Sequence, residues 1–310
     1  MNAVVLSSLL PVVFLIAIGF VAARAGILGA AGTKELSNLA FLILTPALLF
    51  RTMSTVHVEQ LDFVPVASYF AAVAVVFFST LLIQGFNRRA AMLALAGTFS
   101  NTVMIGIPLA ELAYGKEGLV ILLTLVSVHA LVLLTSATIV LELAVARESE
   151  HGARAPVKTV LMAARNAIFH PVPLPIIAGL IFAQTGLTIH PLIDKPLGWL
   201  GAAFGPLALL LVGVTLAGKS IGEHWRTALG LALAKNVLMP ALVLISGLLL
   251  GVQGLHLLVM VVAASLPIGA NVFLFSQRYE VAEGEVTAAV ALSTLLALVT
   301  VSVAMLLVPR

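Results

Sequence analysis

The sequence predicts an all-α membrane protein that crosses the bilayer many times. Hydrophobic residues make up 61% of its 310 positions and charged residues only 9%, whereas soluble domains carry about 25% charged residues. Apolar runs long enough to cross about 30 Å of hydrocarbon recur along the chain. Short loops between these runs hold nearly all of the charge, as in other polytopic membrane proteins.

We predict ten transmembrane spans, numbered in chain order. The first lacks a basic leading region and a clear cleavage site, so we interpret it as a retained span rather than a signal peptide. The chain has no cysteine, which excludes disulfides, thiol chemistry and cysteine metal sites. The predicted spans are 3–23, 33–52, 61–84, 92–113, 118–143, 161–185, 198–217, 226–250, 255–277 and 285–308.

Lysine and arginine residues are concentrated in the loops that follow odd-numbered spans. The loops after even-numbered spans and the two chain ends hold only Arg51, Lys116, Lys195 and Arg310, and Lys235 falls inside span eight. Cytoplasmic loops of membrane proteins carry an excess of such residues. We therefore predict that the odd loops are cytoplasmic and that both termini lie on the non-cytoplasmic side.

A polar connection, "ARESEHGARAPVKT" at 146–159, divides the chain into two halves of five spans, 1–145 and 160–310. An odd number of spans in each half means that the halves enter the membrane in opposite directions. Four glycine or proline pairs correspond at a spacing of 160, which predicts an inverted repeat; chance in a Gly-rich and Pro-rich chain is the alternative. The pairs are Pro11 with Pro171, Gly19 with Gly179, Gly26 with Gly186 and Pro46 with Pro206.

Spans four and nine are both interrupted near their middles. In span four the interruption runs from Asn101 to Pro108, and in span nine from Ser265 to Asn271. Each starts about ten residues from the side at which its span enters, so at about 1.5 Å per residue both lie near the bilayer centre. Proline lacks an N–H group, and glycine allows close approach of another backbone. The residues that interrupt the helices are Gly106, Pro108, Pro267 and Gly269.

Two crossed, broken helices predict an anion site at the membrane midplane. Beyond each break a half-helix begins with unpaired N–H groups and the positive end of its dipole. Asn101 and Asn271 can add amide donors, and Ser100, Thr102 and Ser265 can add hydroxyl groups. The alternative is that these are ordinary kinks whose polar side chains satisfy the freed backbone.

Two titratable residues inside the spans need separate interpretation. The ammonium group of Lys235 could neutralise an anionic substrate, take the place of a coupling cation, or extend to the cytoplasmic headgroups. His129 could carry a coupling proton or be hydrogen-bonded packing. No acidic residue lies in the middle of a span, which argues against cation exchange on a carboxylate. We find no nucleophile with a base and no HExxH metal motif, so the sequence does not predict an enzyme.

The segments "FSNTVMIGIPLAELAYG", "AASLPIGANVFLFSQRYE" and "LPVVFLIAIGF" followed by "AGIL" resemble the auxin efflux carrier family. This family includes plant PIN proteins and bacterial malonate and malate permeases. The resemblance implies crossover helices 4 and 9, in a fold related to bile-acid symporters and sodium/proton antiporters. It also implies a scaffold from helices 1, 2, 6 and 7, a transport domain from helices 3–5 and 8–10, and a homodimer.

From the resemblance and the breaks together, we expect a secondary transporter of a small carboxylate that works by alternating access. A sodium-coupled symporter of the bile-acid type is the alternative. We expect no cofactor and no nucleic-acid partner, with Na⁺ or H⁺ as candidate coupling ions. The short linker favours a bacterial protein of the inner membrane. The expected substrate-binding residues are Asn101, Asn271, Ser100, Thr102, Gly106, Pro108, Ser265, Pro267 and Gly269.

Overall fold

A computed structural model of the chain describes residues 3–56, 61–148, 173–218 and 222–308. Within these ranges the structure is helical and has one isolated antiparallel β-bridge, between Ser100 and Ile268. Residues 149–159 of the predicted linker and 161–172 of predicted span six lie outside the described residues.

Thirteen α-helices are present in the described ranges. Six helical segments are long and apolar enough to cross a membrane, and three shorter apolar helices accompany them. The prediction of a polytopic membrane protein is therefore confirmed, whereas the count of ten spans stays a prediction. The helices are α1 (Ala3–Arg24), α2 (Ala30–Leu39), α3 (Thr45–Met53), α4 (Val64–Gln84), α5 (Arg88–Thr98), α6 (Ile107–Glu148), α7 (Pro173–Gln184), α8 (Pro191–Ala217), α9 (Trp225–Leu233), α10 (Met239–Leu249), α11 (Gly254–Ser265), α12 (Ala270–Tyr279) and α13 (Glu283–Leu307).

Helix α6 covers the second part of predicted span four and all of span five. Its helical path is interrupted at Gly115, where φ is 65° and ψ is −156°. This conformation is open to glycine and costly for other residues. The interruption falls between the predicted ends of the two spans, at 113 and 118.

The described residues include three π-helical turns, and each one ends two residues before a proline. Proline cannot donate to the carbonyl four residues earlier, and its ring clashes with that carbonyl. A wider turn relieves the clash. The turns are Ala40–Leu44 before Pro46, Thr102–Gly106 before Pro108, and Ala234–Leu238 before Pro240.

The chain folds into two compact units. The first comprises residues 1–63, 102–127 and 169–219, and the second comprises 64–101, 128–168 and 220–310. In the first unit α1 packs on α8, and α3 packs on α7 and α8. In the second unit α4 packs on α5 and α10, α10 on α11, and α9 on α13. Scaffold and transport roles for these parts of the chain stay predictions.

Helices α1 and α8 of the first unit approach closely because glycine lies at the contact from both sides. A Cβ atom on Gly19 would overlap the carbonyl oxygen of Leu210, and a Cβ atom on Gly213 would overlap the carbonyl oxygen of Ile16. Small residues at such contacts let two membrane helices pack through their backbones, where dispersion is the main attraction available in lipid.

A second glycine contact in the first unit is the counterpart of the first. Gly19 of α1 faces Leu210 of α8, and Gly179 of α7 faces Phe50 of α3, where an added Cβ would lie 2.7 Å from the Phe50 carbonyl oxygen. Gly179 follows Gly19 by 160 positions, and Leu210 follows Phe50 by the same spacing. The glycine of one contact thus corresponds to the glycine of the other at the predicted repeat spacing, and the two residues that the glycines face correspond in the same way.

Replacing Gly213 by Leu should lower the stability of the protein, because the new side chain must push α1 and α8 apart. Overpacking of this kind costs about 1–3 kcal/mol or more. The midpoint of thermal unfolding in detergent measures the loss. Gly230→Leu is the matched control, because an added Cβ there meets nothing within 4 Å; equal losses in both variants would contradict the account of this contact.

Candidate functional site

The two helix breaks of the second unit meet through their backbones. Helix α5 ends at Thr98 and Phe99 is extended, with φ −82° and ψ 106°. Helix α11 ends at Ser265, Leu266 is extended, and α12 begins at Ala270. The N–H of Asn101 donates to the Pro267 carbonyl at 2.9 Å, and the N–H of Gly269 donates to the Phe99 carbonyl at 2.9 Å. The two non-helical stretches therefore form a short antiparallel pair, which we call the crossover.

The break in span four begins earlier than the sequence indicates. We expected the interruption to start at Asn101, whereas the extended backbone starts at Phe99. The reason lies in the partner segment, because the Phe99 carbonyl leaves helical geometry to accept from Gly269. Pro108, the obvious helix breaker in the sequence, follows a π-turn instead and lies inside the start of α6.

Gly269 and Ser293 allow the backbones to approach and complete their hydrogen bonding. A Cβ atom on Gly269 would lie 2.7 Å from Cδ1 of Phe99, so a larger residue would have to displace that ring. The N–H of Ile268 donates to Oγ of Ser293 at 3.1 Å, and this hydroxyl donates to the Val290 carbonyl. The last helix, α13, thus supplies a partner for a buried N–H group of the crossover.

Two side chains of the π-turn Ala234–Leu238 cap the end of α11. Nζ of Lys235 donates to the carbonyl oxygens of Ala264 at 2.6 Å and Leu266 at 2.8 Å. Nδ2 of Asn236 donates to the carbonyl oxygen of Ser265 at 2.9 Å. These carbonyls are among the acceptors that a helix C-terminus leaves without intrahelical partners.

The position of Lys235 decides one of the alternatives raised by the sequence. Its side chain is fully buried, with 0% of its surface exposed, so its ammonium group does not extend to the headgroups. A cation at the C-terminal end of α11 faces the negative end of the helix dipole. Of the alternatives for Lys235, extension to the headgroups is therefore contradicted, because two backbone carbonyls bind the ammonium group inside the protein.

His129 is a member of a buried polar cluster beside the crossover. Its Nε2 lies 3.3 Å from the hydroxyl of Tyr69, and that hydroxyl lies 2.7 Å from Oγ of Ser100. The imidazole also packs against Phe99, with 4.6 Å between ring centroids. All of these side chains are nearly or fully buried. The histidine is thus buried and within hydrogen-bonding distance of Tyr69, in direct contact with a residue of the crossover, and a role in proton coupling stays a prediction.

The two asparagines expected to bind substrate both belong to the second unit. Asn101 is the last residue of the non-helical stretch in span four, Asn271 is the second residue of α12, and both are half-buried. The crossover brings Ser100, Asn101, Pro267 and Gly269 together, and Asn236 contacts the carbonyl of Ser265. The structure places the other expected residues, Thr102, Gly106 and Pro108, in the first unit, where they are buried.

Sequence analysis missed three residues that build the crossover: Tyr69, Asn236 and Ser293. Tyr69 and Asn236 are polar groups within apolar spans, next to Ser68 and Lys235, a signal that a systematic scan would find. Nothing in the sequence indicates that Ser293 faces Ile268, because these residues are 25 positions apart on different helices.

The first unit contains a cavity of about 440 Å³ at the ends of α3 and α7 and the start of α8. Its lining includes Arg51 and Asp194, which form a two-point ion pair with distances of 2.7 and 2.9 Å. Because these two charges neutralise each other, this cavity offers no uncompensated cation to an anionic substrate. The crossover is therefore the better candidate for an anion site.

Three similarities to known proteins bear on the function of the chain. A family described as "Membrane transport protein" matches residues 4–305. A protein of Rhizobium meliloti (strain 1021) named "Putative malonate transporter" is 29% identical over 304 residues, which cover 94% of this chain and 92% of that protein. A mouse protein named "Lysosomal cholesterol signaling protein" is 24% identical over 212 residues, covering 65% of this chain and 24% of the mouse protein.

Replacing Ser293 by Ala should destabilise the protein, because the buried N–H of Ile268 then loses its acceptor. An unsatisfied buried donor costs about 1–3 kcal/mol, which thermal unfolding in detergent will detect. Ser302→Ala is the matched control on the same helix, since the Ser302 hydroxyl is exposed and donates to the carbonyl of Leu298 in its own helix. Equal stability of both variants and wild type would show that the crossover does not depend on this hydrogen bond.

Proposed function

Because the chain belongs to the membrane transport protein family, which is that of the auxin efflux carriers, we propose that it is a secondary transporter of a small carboxylate. The family assignment makes it a transporter rather than an enzyme. Malonate is the first substrate to test, since the Rhizobium meliloti relative is named for it and matches nearly the whole chain. The substrate would bind at the crossover.

The observation that carries this proposal is the start of α12 at the crossover. The first residues of this helix, Ala270 and Asn271, follow directly on the paired backbone of Ile268 and Gly269. A helix start presents N–H donors and a partial positive charge, which suit a carboxylate. Asn271 in the first turn and Asn101 in the paired backbone have neutral amide side chains, so neither adds a negative charge that would repel the substrate.

Lys235 adds a formal positive charge to the same unit. Its ammonium group is bound to the end of α11 through Ala264 and Leu266, and these residues lead directly into the crossover. Bringing an anion to the middle of a membrane is costly unless charges of opposite sign lie near. We therefore propose that Lys235 lowers this cost through its field, without a direct contact to the substrate.

We also propose that the two halves of the chain are inverted repeats and that transport occurs by alternating access. The reciprocal glycine contacts at a spacing of 160 support the repeat. Gly26 and Gly186, another pair at that spacing, both have positive φ values, 72° and 70°. In transporters built from inverted repeats, sites formed by discontinuous helices open to one side of the membrane at a time.

Replacing Asn101 or Asn271 by Ala should reduce malonate uptake into proteoliposomes by about tenfold or more. The reason is that a hydrogen bond to a charged group contributes about 1.5–3 kcal/mol. Both variants should be inserted and folded, as judged by gel filtration and thermal unfolding.

Asn38→Ala is the matched control, because Asn38 is an exposed asparagine of α2 in the first unit. It should transport as wild type does. Normal malonate transport by both crossover variants would overturn the site assignment. Failure of the wild type to transport malonate, with another carboxylate accepted, would change only the named substrate.

A further inference from the structure

We propose that the ammonium group of Lys235 occupies a built-in site for a monovalent cation, so that the carrier holds its own cation and does not require Na⁺. The ligands of this site are the backbone carbonyl oxygens of Ala264 and Leu266 at the end of α11. Only the consequence for transport rests on the proposed function, because the cation site itself can be tested through the stability of the protein.

The geometry of Lys235 is that of a bound ion rather than of an ion pair. Nζ lies 2.6 and 2.8 Å from two carbonyl oxygens that belong to one interrupted helix. Backbone carbonyl oxygens, unlike carboxylates, carry no formal charge. The partners of Lys235 are thus the same kind of ligand that coordinates alkali cations in membrane proteins.

The charge of Lys235 has no acidic partner among the described residues. The ion pairs found there join Arg51 to Asp194 and Arg89 to Glu285, and neither includes Lys235. The positive charge is therefore balanced by dipoles, namely the carbonyls at the C-terminal end of the twelve-residue helix α11. A buried cation held in this way remains available to offset the charge of a bound anion.

The carbonyl of Ser265, which lies in sequence between the two ligands of Lys235, has donors of its own. The Ser265 carbonyl accepts from Nδ2 of Asn236 at 2.9 Å and from Oγ1 of Thr300 at 3.4 Å. Truncating Lys235 would leave the oxygens of Ala264 and Leu266 without their donor in a space that the side chain had filled. A small cation that enters this space would find carbonyl ligands already in place.

Two consequences follow for the wild-type protein. Replacing Na⁺ by choline should leave its stability unchanged, because the site is already filled by a covalently attached cation. Transport of an anion should likewise proceed without Na⁺. Sodium coupling through this site would need it to be vacant, and the lysine side chain fills it.

The test is thermal unfolding of the purified full-length protein in detergent, without substrate, at constant ionic strength in choline, sodium, potassium, ammonium or methylammonium chloride. Wild type should give the same midpoint in all five salts. In choline, Lys235→Ala should unfold about 4 °C or more below wild type, since buried carbonyls lose a charged donor. Ammonium, methylammonium or Na⁺ should restore at least half of that loss in a saturable manner.

Lys235→Met and Lys116→Ala are the control variants. Methionine fills the space with an apolar side chain, so Lys235→Met should be destabilised and should not be restored by any cation. Lys116 donates to the hydroxyl of Thr55 in an exposed position of the first unit. Its replacement by Ala should leave the five midpoints equal, which excludes a general effect of removing a lysine.

Three results would overturn the proposal. They are stabilisation of the wild type by Na⁺ relative to choline, loss of stability in Lys235→Ala that no monovalent cation restores, and equal restoration of Lys235→Met. If neither variant folds, the comparison of wild type in sodium and choline chloride tests the proposal by itself. Because no carboxylate is present, failure here leaves the carboxylate proposal standing, and failure of malonate transport leaves this one standing.

Discussion

Backbone hydrogen bonding in a solvent without water is the constraint on which the rest of this structure depends. An unpaired peptide group in hydrocarbon costs several kcal/mol, and the chain interrupts two helical paths at the crossover. The short antiparallel pairing of Ser100 with Ile268 solves much of this problem. Phe99 and Pro267 supply the acceptors, and the remaining N–H of Ile268 is bonded to Ser293. The proposed anion site is compatible with a membrane interior because the backbone around it is hydrogen-bonded.

The same constraint explains why a lysine is tolerated in the interior of the second unit. The carbonyls at the end of α11 need donors, and Lys235 and Asn236 provide them from the π-turn of a neighbouring span. The wide turn before Pro240 carries both side chains. The π-turn before Pro240 thus supplies the hydrogen-bond donors that the interrupted end of α11 lacks. It also places a positive charge beside the crossover. In this account anion binding is a consequence of how the breaks are stabilised.

Much of the fold and part of the site could be predicted from the sequence, for identifiable reasons. Membrane spans follow from apolar length, and the breaks follow from prolines and glycines such as Pro267 and Gly269, which act on their own segments. Contacts between distant segments could not be predicted in this way. Asn236 and Ser293 bond to residues 25 or more positions away, and the early break at Phe99 depends on Gly269. The direction of the Lys235 side chain also depends on partners that only the fold supplies.

The most direct test of the central claim is equilibrium binding at the crossover, measured as the thermal shift of the purified protein. Malonate should be compared with malonamide, which has the same carbon skeleton and no charge. A ligand that binds only the folded state raises its stability by RT ln(1 + [L]/Kd), about 2.7 kcal/mol at a hundredfold excess over Kd. The account predicts saturable stabilisation by malonate or a closely related acid and none by malonamide. Equal stabilisation by the neutral amide, or by no acid at all, would contradict it.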